Sequence, residues 1–234
     1  MLILLAPSEG KAAPGRGRRA ADLAALPYAA ALGPLRERLI AAVDPRLASA
    51  PAAPAGEVYD GVLYNHLDLA SLPAASRRRA TGSVLIASGL WGLVGPSSRI
   101  PLYKLPIAEP VAGIGGLAAA WRGPVAEALA EQDTARQLIV DCRSGGYTTV
   151  WRPQRAPRVE VRAFSVKPDG SRQVISHNAK ATRGRVARVL LLAERAPRKP
   201  ADVLALVLAA GFDAELVVPD RRSGAPWSLD VLER

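Results

Sequence analysis

Four short stretches of this 234-residue chain group side chains capable of chemistry. In the first, Ser8-Glu9-Gly10-Lys11, serine and lysine stand at S-x-x-K spacing, the pair in which an amine loosens a hydroxyl's proton and makes the oxygen an acylating nucleophile. Neither S-D-N nor K-T-G accompanies it, so the stretch also reads as a turn in which Lys11 meets an anion and Ser8 or Glu9 moves a proton. The second, Asp141-Cys142-Arg143-Ser144-Gly145-Gly146-Tyr147, sets the single thiol beside a guanidinium, which favours thiolate. His177 is its natural partner base, and the competing role for Cys142 is a small buried apolar group. Asp141 and Ser144 could orient a substrate or cap a helix near Gly145. The third runs from Ser176 to Arg188. With Asn178 as N-cap, Lys180 and Arg183 fall in or beside the first helical turn, where each cation opposes the helix dipole by about 0.3–1 kcal/mol. An anion bound there would reverse that penalty. The fourth, Ser88-Gly89-Leu90-Trp91-Gly92-Leu93-Val94-Gly95-Pro96, places three glycines around a tryptophan. It can offer free N–H groups to phosphate, like the glycine hairpin of helix-hairpin-helix elements, or serve as a tight packing turn.

Hydrophobic periodicity supplies the elements that carry these stretches. Leu2–Ala6 reads as a buried strand that delivers Ser8 and Lys11 at its end, followed by a Gly/Pro/Arg loop to Arg19. Helices are expected over Ala20–Leu32 and Pro34–Val43, with Pro34 at a first helical position. A Pro/Ala connector, Ala48–Gly56, precedes a helix within Tyr59–Leu69. A strand over Ser83–Ala87 leads to the glycine turn, and a helix over Gly116–Gln132 precedes a strand, Leu138–Val140, that delivers Asp141 to Ser144. Val159–Val166 and Arg172–Ser176 alternate around Asp169-Gly170 and predict a hairpin. Helices over Ala179–Ala193 and Pro200–Ala210, the latter closed by Gly211, and a strand over Ala214–Val218 complete a mixed α/β chain. Nothing repeats at a fixed period and no linker divides it, which predicts one domain over residues 1–234.

The formal net charge is +10, and residues 141–200 hold 14 basic and 4 acidic side chains while the remainder carries 17 of each. A field so concentrated attracts polyanions, nucleic acid first among them. Only five of the basic residues are lysine, so codon bias toward arginine contributes, but such a bias would act along the whole chain. With 49% apolar residues the chain can bury a core, which excludes bulk disorder. Its longest apolar stretch, Val203 to Phe212, is about half of a bilayer span, and Met1–Pro7 lacks a basic leader, so a cytoplasmic protein without membrane attachment is expected. One cysteine and two histidines exclude an internal disulfide and the usual zinc sets, and no metal or other cofactor is expected.

The opening Leu2–Lys11, Tyr59-Asp60-Gly61-Val62-Leu63-Tyr64, Ser88-Gly89-Leu90-Trp91-Gly92, Pro101-Leu102-Tyr103-Lys104-Leu105, Arg143-Ser144-Gly145-Gly146-Tyr147 and Ser176–Gly184 stand in the order of the YaaA peroxide-stress family, which this chain resembles over residues 1 to about 192. The resemblance implies a single α/β domain with a mixed sheet flanked by helices, a basic cleft and a helix-hairpin-helix-like turn. It also implies a role in surviving hydrogen peroxide by limiting free iron and oxidative DNA damage. Carried onto this sequence, Gly89 and Gly92 fall on the hairpin, with Lys11, Lys104, Arg143, Lys180 and Arg183, aided by Ser144, as anion-binding residues. Two departures stand out. Val94-Gly95-Pro96 replaces the family's Leu-Arg-Pro and loses a candidate phosphate contact, and Ser176-His177-Asn178-Ala179-Lys180 replaces Ser-His-Phe-Asn-Lys. Two functions follow. One is DNA binding with little sequence reading. The other is an enzyme acting on a small phosphorylated or carboxylated metabolite, with Ser8, Glu9, Asp141, Cys142 or His177 as catalytic candidates.

Overall fold

A computed structural model describes residues 1–14, 19–168, 171–174, 178–220 and 224–233. The chain runs β1 (Leu2–Leu5), α1 (Ala29–Val43), β2 (Ala52–Pro54), α2 (Ala55–Val58), α3 (Val62–Leu67) and α4 (Ala74–Ser83). There follow β3 (Val84–Ser88), β4 (Gly92–Val94), β5 (Arg99–Pro101), β6 (Pro110–Val111), β7 (Gly115–Gly116), α5 (Leu117–Ala128) and β8 (Ile139–Cys142). The last part comprises β9 (Arg158–Val166), β10 (Arg172–Val174), α6 (Ala179–Leu192), α7 (Pro200–Ala209), β11 (Asp213–Val217) and β12 (Trp227–Glu233). One mixed sheet takes the order β11-β12-β9-β8-β1-β3-β4, with β10 paired to β9, and β2/β5 and β6/β7 form two small ribbons. Strands β12, β9, β8, β1 and β3 are parallel, and β4, β10 and β11 run against their neighbours.

The apolar run Leu2-Ile3-Leu4-Leu5 is buried at all four positions, as a central parallel strand covered on both faces requires. Strand β9 instead alternates. Val159, Val161 and Ala163 are buried, while Arg158, Glu160 and Arg162 remain partly exposed, so the β9 side of the sheet has one helix-covered face and one polar face. Helix α6 packs on β8, β9, α3 and α7, burying Val186, Ala187, Leu190 and Leu191, while α1 and α5 pack on each other and on β4.

The connections reverse at β1. From it the chain crosses to β3 on one side, then returns past it to β8 on the other, and proceeds outward to β9. In doubly wound folds the carboxyl ends of the strands flanking such a reversal, here β1, β3 and β8, are the usual place for a ligand.

Several expectations need correction. Residues 20–28 are not helical, and Pro34 lies inside α1 rather than at its start. A helix can begin at Ala29 because Tyr28 takes a left-handed conformation, φ 56°, that breaks the chain direction there. Asn178 precedes α6 but provides no side-chain cap; its amide donates to the Glu233 carboxylate at 3.1 Å. The turn at Ser88–Gly92 joins two antiparallel strands, not two helices, so the helix-hairpin-helix expectation does not hold there. The β9/β10 hairpin is present, although Asp169 and Gly170 of its turn lie outside the described residues. Strand β12, central to the second half of the sheet, and helix α4 had no sequence counterpart.

Candidate functional site

Lys11 follows the carboxyl end of β1. Its backbone bridges that of Tyr59, and its ammonium donates to the Ser8 carbonyl at 2.8 Å while lying 4.6 Å from the centre of the Tyr103 ring and 5.7 Å from that of Tyr59. Burial lowers the Lys11 pKa from its ordinary value, and the Glu9 carboxylate only partly offsets this. The Ser8 hydroxyl turns away from the amine and donates to the Asp60 carbonyl at 2.5 Å, so the S-x-x-K pair is not in contact through its side chains.

Four of the chain's five tyrosines gather here. The Tyr59 and Tyr103 hydroxyls are 2.7 Å apart, Tyr103 is 2.7 Å from Ser88 Oγ, and Tyr64 stacks on Tyr59 with ring centres at 5.3 Å while donating to the Ala6 carbonyl. Tyr147 brings in the loop after β8, its hydroxyl accepting from the Ile107 N–H. Proton order in the relay follows from counting. Ser88 Oγ accepts from the N–H groups of both Leu90 and Trp91, which fills its two lone pairs. It must therefore donate to Tyr103, which donates to Tyr59, and the Tyr59 hydrogen becomes the free end. Burial, reinforced by the neighbouring phenols, raises the pKa values of Tyr59, Tyr64 and Tyr103, so all three stay protonated at neutral pH.

The glycine turn supports this cluster from below. A Cβ on Gly89 would stand 2.3 Å from the Leu105 carbonyl oxygen, and one on Gly92, at φ +68°, would stand 2.8 Å from the Trp121 ring. Leu90 and Trp91 are fully buried, and Trp121 Nε1 donates to the Gly89 carbonyl. The glycines thus let Tyr103-Lys104-Leu105 run close across the end of β3. Beneath the turn, the buried Arg36 guanidinium donates to the Trp91, Leu93 and Pro27 carbonyls.

The remaining sequence-derived residues divide. Arg143 is 2% exposed; it grips Asp141 with two nitrogens at 2.8 and 2.9 Å and donates to the Tyr147 and Trp151 carbonyls. It organises the loop after β8 from inside. Burial opposes ionisation of Asp141, 1% exposed, but the Arg143 hydrogen bonds and charge outweigh it and hold the carboxyl below its ordinary range. Cys142 is fully buried and its thiol is pushed up to about 12 by burial, with Arg183 acting against and Asp141 with it. That is the apolar role, not that of a nucleophile. Ser144 precedes the 3-10 turn Gly145–Thr149 without capping it, and Glu9 is exposed. Arg183 is half-buried, with Nε on the Val161 carbonyl at 3.1 Å, whereas Lys104 and Lys180 are exposed. Near the start of α6, Glu233 accepts from Asn178, Thr182 and Arg185 and not from Lys180 or Arg183, the cations for which an anion was expected. His177 and Ser176 lie outside the described residues.

Six stretches distant in sequence are therefore linked in space. Ala6–Lys11 touches Tyr59, Tyr64 and Tyr103, Tyr103 touches Ser88, and Leu105 lies against Gly89. Tyr147 reaches Ile107, and α6 approaches through Gly184, whose added Cβ would be 2.2 Å from the Leu63 carbonyl oxygen. A family model described as "Peroxide stress protein YaaA" matches residues 35–214. The chain belongs to the YaaA family. Among its relatives, a UPF0246 protein of Streptomyces coelicolor is 41% identical, covering 99% of this chain and 98% of its own length. One from Corynebacterium glutamicum is 35% identical over 92% and 95%, and one from Methylibium petroleiphilum 33% over 80% and 71%. Five of the six motifs that carry the YaaA resemblance are linked around Lys11 and the tyrosines, and the sixth, Ser176–Gly184, packs on the second through Gly184 and Leu63. The tyrosines and Ser88 were legible only as members of those motifs; their hydroxyl relay had no sequence signal.

Proposed function

We propose that this YaaA-family chain serves the peroxide-stress response through a small-ligand site at the carboxyl edge of β1, β3 and β8, where an anionic metabolite bearing a carboxylate or phosphate docks on Lys11. The observation that carries this reading is the partly desolvated Lys11 ammonium set against Tyr59 and Tyr103, which come from two other motifs of the family resemblance. Lys11 supplies charge in a water-poor setting, where an ion pair is stronger than at the surface. The free end of the Ser88–Tyr103–Tyr59 relay supplies a neutral O–H that can donate to a developing oxyanion or pass a proton to it. A groove built only for a nucleic-acid backbone has little use for a buried chain of three hydroxyls.

The test is a thermal-shift and calorimetric screen against phosphorylated and carboxylated metabolites. A ligand at one hundred times its Kd should stabilise the fold by about 2.7 kcal/mol, an upward shift of roughly 5–11 °C for a chain of this size. Lys11→Met should abolish the shift, and Tyr103→Phe should weaken binding about tenfold. A screen without a hit, or a hit indifferent to Lys11→Met, rejects the site.

A second reading, DNA binding, is favoured by the basic excess of residues 141–200 and by the exposure of Lys104 and Lys180. If Lys11, Lys104, Lys180 and Arg183 neutralise four phosphates, log K against log salt should slope by about −3.6. A slope near zero in filter binding removes this reading.

A further inference from the structure

On the far side of the 3-10 turn that carries Tyr147, a groove of about 740 Å³ lies between α5 and the loop joining β8 to β9. Its apolar floor includes Ala126, Val150 and Trp151, and its charged rim holds Arg122, Arg152 and Arg155. Asp133 is the acidic group lining the groove, and its two oxygens already accept from the N–H groups of Gln154, Arg155 and Ala156 at 2.8 Å. Glu127 and Glu131 do not line it. Arg155 gives Nε to the Asp133 carbonyl, whereas the guanidinium groups of Arg122 and Arg152 make no hydrogen bond or ion pair among the described residues. Arg152 is near enough to Arg158 for the two charges to repel. Several other arginines in this half of the chain have carboxylate partners: Arg143 and Arg158 on Asp141, Arg172 on Glu215, Arg185 on Glu233 and Arg188 on Asp68.

We propose that this groove is a second anion site, separate from Lys11, which takes a phosphoryl group between the guanidinium groups of Arg122 and Arg152. Guanidinium is the cation suited to it, because its planar fork meets phosphate oxygens with paired hydrogen bonds and gives up its hydration more readily than an ammonium. A tetrahedral anion there would offset the repulsion between Arg152 and Arg158, and the apolar lining accommodates whatever the phosphoryl group is attached to. The group can belong to a free pyrophosphate or nucleotide, or to a nucleic-acid backbone.

Titration calorimetry with inorganic pyrophosphate on the full chain tests this. Lys11→Met, which silences the first site, should still bind, and adding R122A/R152A to it should lower the affinity at least about tenfold. Competition then separates the sources: displacement by ADP alone assigns a free nucleotide, and displacement by a short single-stranded oligonucleotide assigns a backbone, either of which supports phosphoryl recognition. Failure of the wild type to bind any of the three overturns the proposal, as does pyrophosphate binding that is unchanged when R122A/R152A is added to Lys11→Met. Loss of binding on Lys11→Met also overturns it, because the anion would then belong to the first site. If the double variant melts below the wild type, R122K/R152K keeps the charges while removing the forks, and it should still bind several-fold more weakly; unchanged affinity refutes the guanidinium clamp.

Discussion

Replacing Arg143 by methionine separates an internal organiser from a ligand contact, because the two roles differ in size and in pH dependence. The substitution deletes both hydrogen bonds to Asp141 and the donors to the Tyr147 and Trp151 carbonyls. A buried carboxylate deprived of its partner costs about 3–5 kcal/mol, and Arg158, which remains 3.7 Å from Asp141, argues for the low end, about 3 kcal/mol. The sign with pH follows from the two states of Asp141. In the wild type its folded pKa lies below the unfolded value of about 3.9, so its contribution is present above that value and is lost as pH falls through the folded pKa. In the variant burial is the dominant influence and raises the folded pKa, so protonation relieves the penalty as pH falls, by up to about 1.4 kcal/mol per unit. Urea unfolding should show a gap between the two proteins near 3 kcal/mol at pH 7.5 that narrows at pH 5. Adding Asp141→Asn to Arg143→Met should recover part of it. A gap below about 1 kcal/mol at neutral pH, or one that widens on acidification, would refute the assignment of Arg143 as the internal partner of Asp141.

Two further outcomes follow from burial and close approach. With its thiol pushed up to about 12, Cys142 should react with a disulfide reagent at pH 8 at least about a thousandfold more slowly in the native protein than in urea, and prompt stoichiometric labelling of the native chain would contradict its apolar role. Gly184→Ala forces a methyl group to within 2.2 Å of the Leu63 carbonyl and should cost about 1–3 kcal/mol as α3 and α6 part, whereas Gly33→Ala, with nothing within 4 Å, should be neutral or stabilise α1 by up to about 1 kcal/mol; the same measured stability for both would show that α6 does not depend on that close approach.

The strands whose side chains are buried on both faces, β1, β3 and β8, were legible because they read as short apolar runs, and α6 and α7 were legible from helical spacing. Strand β12 was missed although Leu229 and Val231 alternate with Ser228 and Asp230. Its polar residues are themselves buried on the sheet, so the stretch looks less apolar than its setting. Helix α4 has three consecutive arginines and only Ser76 and Ala80 buried, leaving no apolar face to detect. In the site, Lys11 was legible from its place after a strand. Arg143 was read as a ligand cation because a sequence shows the charge and not the carboxylate two residues away folding back onto it. The tyrosine relay joins Tyr59, Tyr103 and Ser88 across 44 and 15 positions, a distance over which no local pattern operates.

Charge shows the same gap between chain and space, and it decides how the two functional readings rank. The excess in residues 141–200 is a property of the chain; in the fold, four acids from outside that stretch move onto its arginines. Asp68 lies by Arg188, Glu215 by Arg172, Asp230 by Arg162 and Glu233 by Arg185. Arg143 is consumed internally as well. The excess of residues 141–200 therefore contracts in the fold to a few places, the groove-lining Arg152 and the exposed Lys180 among them, while Lys11, Lys104 and Arg122 are cations from outside that stretch. A duplex needs a continuous row of such cations spaced along its phosphates, whereas an anionic metabolite needs only one of these places with shape and proton donors around it. Lys11 has the Ser88–Tyr103–Tyr59 hydroxyls beside it, so the chain's net charge is weaker support for DNA than that relay is for a small ligand.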